Sequence, residues 1–509
     1  MVLIHLVVSA ALYCFSFSNS IMVHGFFFGG WLAAIPFLFV LDGKNWRARM
    51  LLGLAWGGLA HGLLLWWFIL ISWAGYAVFV LALALQGGIF ALLFNVRVMA
   101  LVRFPADHAW RWIGFVVYVP SAWVVSEYAR NMILGGFTWG LGMSQAMIPE
   151  FIQTARWGGV YAVSWLLVFF AGCVFWRIKR KGKEVARDPA SLMLLAIPLA
   201  VWILGAMGMA LRIPSKEAPL RVVAVQPNIL HADKMDMNAY NDNVARHLVM
   251  SKKGAQAARP DMIVWPETAF TDDILRDDFW RSRIEQVARN FNAHFILGSA
   301  LLSNDGHDLN ALLLLDPRGQ WKDVYYKKQL VPFSEYLPQD LFSKWFARVS
   351  GISSYHFLAG RRSGIFYPDG LSVVMGMSIC SEEAYPALFR ALVRKGAGVF
   401  VSSLNDGWFA RPEALLLHAQ MAVFRAVEAG RPLVRAANTG WSAAVDHDGR
   451  VLKAVPLQSA GWVAADVHPR GGETVYVKFG DVFAWLCAGF VILINIVMLK
   501  RNNQFLGSV

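Results

Sequence analysis

Apolar residues run almost unbroken through the first two fifths of this chain, break into short alternating stretches through the middle, and form one more long run near the C-terminus. A helix needs about 20 mostly apolar residues to cross a bilayer. Eight such spans are predicted, at about 2–17, 22–41, 50–72, 76–101, 113–129, 158–176, 191–211 and 482–499. The pattern therefore predicts a seven-span block over 1–212, a separate domain over 219–475 and a closing span at 482–499. The first run can also be read as a signal peptide, although only His5 stands where a basic flank is usual.

In the middle segment the period shortens to that of strands. Leu220 to Val225, Met262 to Trp265, Phe295 to Gly298, Ala311 to Leu315, Ser372 to Ile379, Gly398 to Ser402, Pro432 to Ala436 and Ser442 to Asp446 read as strands. Between them Asn238 to Ala257, Asp277 to Phe291, Glu383 to Lys395 and Glu413 to Glu428 read as helices, so this domain is of the α/β class. Arg348 to Arg362 and the stretch after Phe409 show no period and are expected as mobile loops.

Composition sharpens the membrane reading. The 509 residues are 57% hydrophobic and 16% charged, against roughly 25% charged in soluble domains, which excludes a small soluble enzyme and a disordered chain. The net charge of +13 raises nucleic acid as a partner, but the basic residues alternate with the spans. Lys44, Arg47, Arg49, Arg103, Arg111, Arg177, Lys179, Arg180, Lys181, Lys183, Arg187, Lys500 and Arg501 occupy one set of loops, and the other set carries only Arg130 and Arg156. Basic loops stay on the cytoplasmic side. The charge thus marks topology, no nucleic acid is expected, and parity puts 219–475 outside the cytoplasm. Trp66, Trp67, Trp73, Trp110 and Trp112 read as interfacial anchors, His24 and His61 as interhelical hydrogen-bonding groups, and Glu127 with Arg130 as an ion pair at the outer interface.

Cys14, Cys173 and Cys487 fall in spans, which leaves Cys380 as the one thiol of the α/β domain, with no disulfide partner. It follows a strand pattern and precedes a helix pattern. A buried small hydrophobe is the plain reading, while a position near a helix N-terminus favours thiolate. Glu267 stands just past the apolar run Ile263-Val264-Trp265-Pro266, where α/β sheets gather functional groups. Lys327 and Glu335 lie in Tyr326-Lys327-Lys328-Gln329-Leu330-Val331-Pro332-Phe333-Ser334-Glu335. Taken alone, each acid or lysine is more commonly a solvated surface charge, and no periodicity brings them together. No phosphate-binding loop, dinucleotide fingerprint or metal-ligand spacing appears, so neither cofactor nor metal is expected.

Taken in order, Trp265-Pro266-Glu267, Tyr326-Lys327 with Leu330-Val331-Pro332-Phe333 and Glu335, and Ile379-Cys380 with Glu382 resemble the Glu-Lys-Cys triad motifs of the nitrilase superfamily. Asn405-Asp406-Gly407-Trp408-Phe409, Arg431 to Arg435, Asn438-Thr439-Gly440, Gly136 to Trp139, Ser144-Gln145 and Gly158 to Tyr161 resemble its membrane branch, the bacterial apolipoprotein N-acyltransferases. The resemblance implies a polytopic α-helical membrane domain of about eight spans plus a nitrilase-like α-β-β-α sandwich on the periplasmic side of the inner membrane. It implies Cys380 as nucleophile, Glu267 as general base, Lys327 as the cation facing the oxyanion, and Glu335 and Glu382 as supporting groups. It also implies a phospholipid acyl donor and a diacylglyceryl apolipoprotein acceptor; a monomer is expected. Two positions depart from the family pattern: Ser381 follows the cysteine where an aromatic is usual, and Lys234-Met235 replaces a common Lys-Trp pair. A membrane-anchored amidase, a paralogue acylating another amine, and a receptor that only binds lipidated chains are the competing readings.

Overall fold

The structure is a computed structural model that describes residues 1–19, 21–22, 24–94, 109–179, 189–212, 218–303, 305–350, 357–409 and 411–506. The basic residues Arg103, Arg180, Lys181, Lys183 and Arg187, and the linker residues Pro214, Lys216 and Glu217, lie outside the described residues. The chain divides into two units, Met1–Arg212 with Thr474–Val509, and Ile213–Glu473.

The first unit is helical. Its principal helices are Val2–Ser16, Phe28–Leu32, Ala34–Leu41, Trp46–Leu64, Trp73–Leu93, Ala109–Ile133, Ala155–Lys179, Pro189–Ala210 and Val482–Leu506. By length and composition, Trp73–Leu93, Phe151–Lys179, Leu192–Ala210 and Val482–Leu499 can cross a membrane, and Val2–Ser16 and Phe28–Leu41 are shorter apolar helices. Helix starts are written in the local sequence: the Asn45 side chain accepts from Ala48 N and that of Ser72 from Gly75 N, as N-caps do. Glycines let the helices Trp46–Leu64 and Trp73–Leu93 close on each other, since a Cβ on Gly57 would stand 2.8 Å from Ala84 Cα.

Several expectations for this unit need correction. The run 50–72 is not one helix: Trp46–Leu64 ends and a 3-10 turn, Trp66–Leu70, follows. Trp67 is buried rather than interfacial, and His24 is exposed in a turn. Glu127 and Arg130 do not pair with each other; both are wholly buried in a polar network. Glu127 accepts from Trp123 Nε1 (2.8 Å) and Leu141 N (2.7 Å). Arg130 donates to Gln86, Asn131 and the Trp139 carbonyl. His61 does bond between helices, with its Nε2 facing Tyr13 Oη at 3.4 Å. Buried polar groups in an apolar bundle are tolerated when neighbours satisfy them.

The second unit is a four-layer sandwich. One sheet has the order β12-β1-β2-β3-β4-β5 and the other β11-β10-β9-β8-β7-β6. Their strands are β1 Leu220–Gln226, β2 Met262–Val264, β3 His294–Leu302, β4 Asp308–Leu315, β5 Trp321–Tyr326, β6 Ile365–Phe366, β7 Met375–Ile379, β8 Val399–Leu404, β9 Leu433–Ala437, β10 Ala443–Val445, β11 Val451–Ala454 and β12 Gly461–Val467. Strands β1 to β3 run parallel, as do β7 to β9. The two-residue period of a strand assigns the layers. Val222 and Ala224 of β1 meet Met377, Ile379 and Val401 of the other sheet, and Val223 and Val225 pack on Val244 and Leu248 of the helix Tyr240–Ala258.

Here too the structure departs from the sequence expectation. Strands β5, β6, β11 and β12 were not predicted: charges break the runs in β5, and β11 is an exposed edge. Glu383 does not begin an α-helix. A 3-10 turn, Cys380–Ala384, comes first, and the α-helix Pro386–Arg394 starts where Pro386 takes the first position. Arg348 belongs to the helix Leu341–Ser350, residues 351–356 lie outside the described set, and the stretch after Phe409 is soon the helix Pro412–Ala429.

Candidate active site

Parallel strands leave their C-terminal ends as a common edge where connecting turns meet. From the first sheet, β2 leads through Trp265 and Pro266 into a turn carrying Glu267, and β5 ends one residue before Lys327. From the second sheet, β7 ends one residue before Cys380, and β8 one residue before Asn405. The turns are strained: Thr268, Phe333 and Cys380 have φ of 45°, 63° and 50°. Non-glycine residues adopt such angles only where their surroundings dictate it, and they concentrate at functional sites.

Glu267 is 5% exposed and Lys327 1% exposed. The Lys327 Nζ donates to Glu267 Oε1 at 3.2 Å and to Glu335 Oε1 at 2.8 Å. Asn310 of β4 donates to the same two oxygens, at 2.7 and 3.2 Å. Glu267 Oε2 accepts from Asn405 N at 2.8 Å, and Glu335 Oε2 from Val331 N at 2.7 Å. Burial alone would raise the Glu267 pKa, but the Lys327 charge, the Asn310 bond and the Lys234 charge together hold it below the ordinary value of 4.5. Burial opposes the Lys327 charge as well, and Glu267, Glu335 and Cys380 more than offset it, so this ammonium is held well above 10.5.

Cys380 meets this cluster from the other sheet. Burial, and then the Glu267 charge, push its thiol well above 9.0 against the pull of Lys327. Cys380 is therefore not a resting thiolate at a helix N-terminus: it heads a 3-10 turn, half-buried, with the Glu267 and Asp406 charges near its thiol. Glu382 stands apart from the cluster and clamps it. Its carboxylate accepts from Tyr325 Oη (2.8 Å), Lys328 N (2.8 Å), Gln329 N (3.1 Å) and Ile379 N (2.8 Å), which ties the chain around Lys327 to the chain before Cys380.

Three further groups were not singled out from sequence as site residues. Asn310 is a lone polar residue in the apolar run Asn310-Ala311-Leu312-Leu313, a signal that was there to be used. Lys234, noted only as a departure, is buried with its Nζ 2.9 Å from the Glu267 carbonyl; burial pushes its ammonium down to about 8, against the pull of Glu267 and Cys380. Behind the cysteine, His418, Asp406, Glu383 and Arg435 form an ion network. The ligating atoms of Cys380, Asp406 and His418 lie within 4.8 Å of one another. Arg435 and His418 already balance Asp406 and Glu383 there, so the group fits an ion-pair network better than a metal site.

Comparison with known proteins places the chain. The carbon-nitrogen hydrolase family matches residues 221–475, and the apolipoprotein N-acyltransferase N-terminal domain matches residues 9–173. An apolipoprotein N-acyltransferase of Geobacter metallireducens is 32% identical over 490 residues, covering 93% of this chain and 91% of that protein. One of Thermotoga maritima is 27% identical over 513 residues, covering 96% and 93%. A solved amidase mutant from Nesterenkonia, of the nitrilase superfamily, is 15% identical and covers 52% of this chain and 96% of its own, with a TM-score of 0.37. The full-length match to the Geobacter metallireducens protein, with both family domains in order, means that this chain belongs to the apolipoprotein N-acyltransferase family.

Proposed function

We propose that the protein moves a fatty acyl chain from a phospholipid, through a thioester on Cys380, to the α-amine of the S-diacylglyceryl cysteine of an apolipoprotein. We place it in the bacterial inner membrane with about eight spans, as a monomer, with 219–475 on the periplasmic side. Family membership supports the activity, and the buried Glu267-Lys327-Glu335 cluster beside the strained Cys380 turn is the observation that carries the roles.

The cycle follows from the protonation states. Glu267 is ionised and Cys380 is a thiol, so the base and the proton it must take are both in place. As Sγ attacks the ester carbonyl, the S–H proton passes to Glu267 and the carbonyl oxygen becomes an oxyanion. Lys327 has three N–H donors, of which Glu267 and Glu335 take two; the third faces the oxyanion. Losing such a donor typically costs about 2.7 to 4 kcal/mol. Collapse breaks the C–O bond, and Glu267 returns its proton to the leaving lysophospholipid. The lipoprotein amine then attacks the thioester and Glu267 takes the amine proton; as the C–S bond breaks, Glu267 passes that proton to Sγ, which restores the Cys380 thiol and the Glu267 carboxylate. A thioester intermediate lets an amine that competes poorly with water on an ester react on a more activated carbonyl.

Intact mass of the full-length protein, unsubstituted and Cys380→Ala, after a defined phospholipid and then a diacylglyceryl-cysteinyl peptide, tests the cycle. One acyl chain gained by the unsubstituted protein only, and discharged by the peptide, is the expected result. Discharge by water alone would make the protein a hydrolase, and no adduct would remove the acyltransferase reading.

A further inference from the structure

The cycle above gives no task to His418, whose ring lies against the nucleophile turn. His418 is on the helix Pro412–Ala429, with 11% of its side chain exposed. Its Nδ1 lies 2.9 Å from Asp406 Oδ1; its Nε2 lies 3.3 Å from the Cys380 carbonyl oxygen and 3.4 Å from Glu383 Oε2. All three are acceptors. Asp406 is also bound by Arg435 at 3.2 Å, and Glu383 by Arg435 Nε at 3.2 Å to each oxygen. A neutral imidazole carries one N–H, so one side of the ring would turn a lone pair toward an oxygen. Both nitrogens must carry protons to satisfy both sides.

The charges around the ring agree. Asp406 faces it from the turn after β8, Glu383 and the Cys380 carbonyl from the turn after β7, and Arg435 from β9. Burial opposes a charged ring, but Asp406 and Glu383 outweigh burial and Arg435, and its pKa stands above the ordinary 6.5. With His418 charged, two cations balance two anions.

We propose that His418 is a positioning imidazolium, whose Nε2–H holds the Cys380 carbonyl and so fixes the left-handed turn that presents the thiol. The inference rests on Cys380 being the nucleophile. Glu382 holds Ile379 N on one side of Cys380, and His418 holds the carbonyl on the other, so the φ of 50° is pinned from both ends. The ring is charged at low pH, and the charge is lost as pH rises through a value above 6.5. Deprotonation removes one of its two donors and frees the turn to relax.

The test follows acyl-enzyme formation by intact mass on the full-length protein in phospholipid-detergent micelles, from about pH 5.5 to 9.5. The unsubstituted protein, His418→Gln, His418→Ala and Cys380→Ala are compared, with thermal unfolding of each. The expected result is a rate at saturating phospholipid at least roughly ten-fold lower in His418→Gln, an unchanged half-saturating phospholipid concentration, and loss of the high-pH decline of the unsubstituted protein. A His418→Gln protein that keeps the full rate, or keeps the high-pH decline, overturns the proposal; a decline owed to Lys234 would persist in this way. Lower thermal stability with unchanged kinetics also overturns it. If neither variant folds, the unsubstituted protein decides alone, since a rate that stays level to the top of the range overturns the proposal. An adduct on Cys380→Ala would instead overturn the nucleophile assignment itself, a failure that the other variants cannot imitate.

Discussion

Cys380 rests in a state that does not react by itself. Its thiol is held well above 9.0 and Glu267 below 4.5, so moving the proton from one to the other is uphill until the thiol begins to bond to a carbonyl carbon. This suits a lipid enzyme, because a standing thiolate would be open to oxidation and stray alkylation. The expected consequence is that iodoacetamide alkylates Cys380 of the free protein slowly, at a rate that rises with pH throughout the range below 9. Mass spectrometry of the alkylated protein reads the rate, and a fast, level rate from about pH 6 upward would show a preformed thiolate instead. Glu267 adds a condition at the other end of the range. With its pKa depressed, the carboxylate persists as pH falls past 4.5, and its contribution is lost only as pH drops through its lower folded value.

The elements act mainly by where their strands stop. β2 and β3 pair in parallel with Val264 opposite Ile296, and two residues later Gly298 lies beneath the Glu267 turn. A Cβ at Gly298 would stand 2.6 Å from Thr268 N and 2.7 Å from Glu267 Cα, and both are backbone atoms that cannot swing aside. Gly298→Ala is therefore expected to shift the base turn and to lower the acylation rate by at least ten-fold, about 1.4 kcal/mol, with a smaller effect on lipid binding. Acyl-enzyme rates over a range of phospholipid concentrations check it, and a wild-type rate would show that the turn is free to move. This role of Gly298 was not legible in the sequence, because its neighbours across the turn come from residues about 30 positions away. Glu267 and Cys380 were legible as the ends of apolar runs. Lys327 was harder to place, since β5, Trp321–Tyr326, carries Lys322 and Asp323 and does not read as a strand.

At the scale of the whole molecule, the question is which side of the membrane each unit faces. The alternation of basic loops predicts that Arg47 is cytoplasmic and that Asp278, whose side chain is 85% exposed, is periplasmic. Cysteines placed at the two positions test this with a membrane-impermeant maleimide on spheroplasts. Asp278→Cys is expected to label above the unsubstituted protein at once, and Arg47→Cys only after the membrane is opened. The reverse order would put the α/β unit on the cytoplasmic side and remove the access to exported lipoproteins that the proposed function requires.

The order of apolar runs was enough to separate a helical block, an α/β segment and a closing helix, because burial in lipid or in a sheet imposes its own period on the residues. The motifs were enough to name Glu267, Lys327, Glu335, Cys380 and Glu382. The contacts among them depend on folding. Glu267 and Lys327 belong to one sheet and Cys380 to the other, so their meeting depends on how two sheets stack through Val222, Ile296, Met377 and Ile379. Asn310 bridging two glutamates, Lys234 against the Glu267 carbonyl and His418 behind Cys380 follow from that stacking as well. Protonation was decided last, and against the expectation of a thiolate. A pKa is set by burial and by charges a few ångströms away in space, and neighbours of that kind lie far apart along the chain.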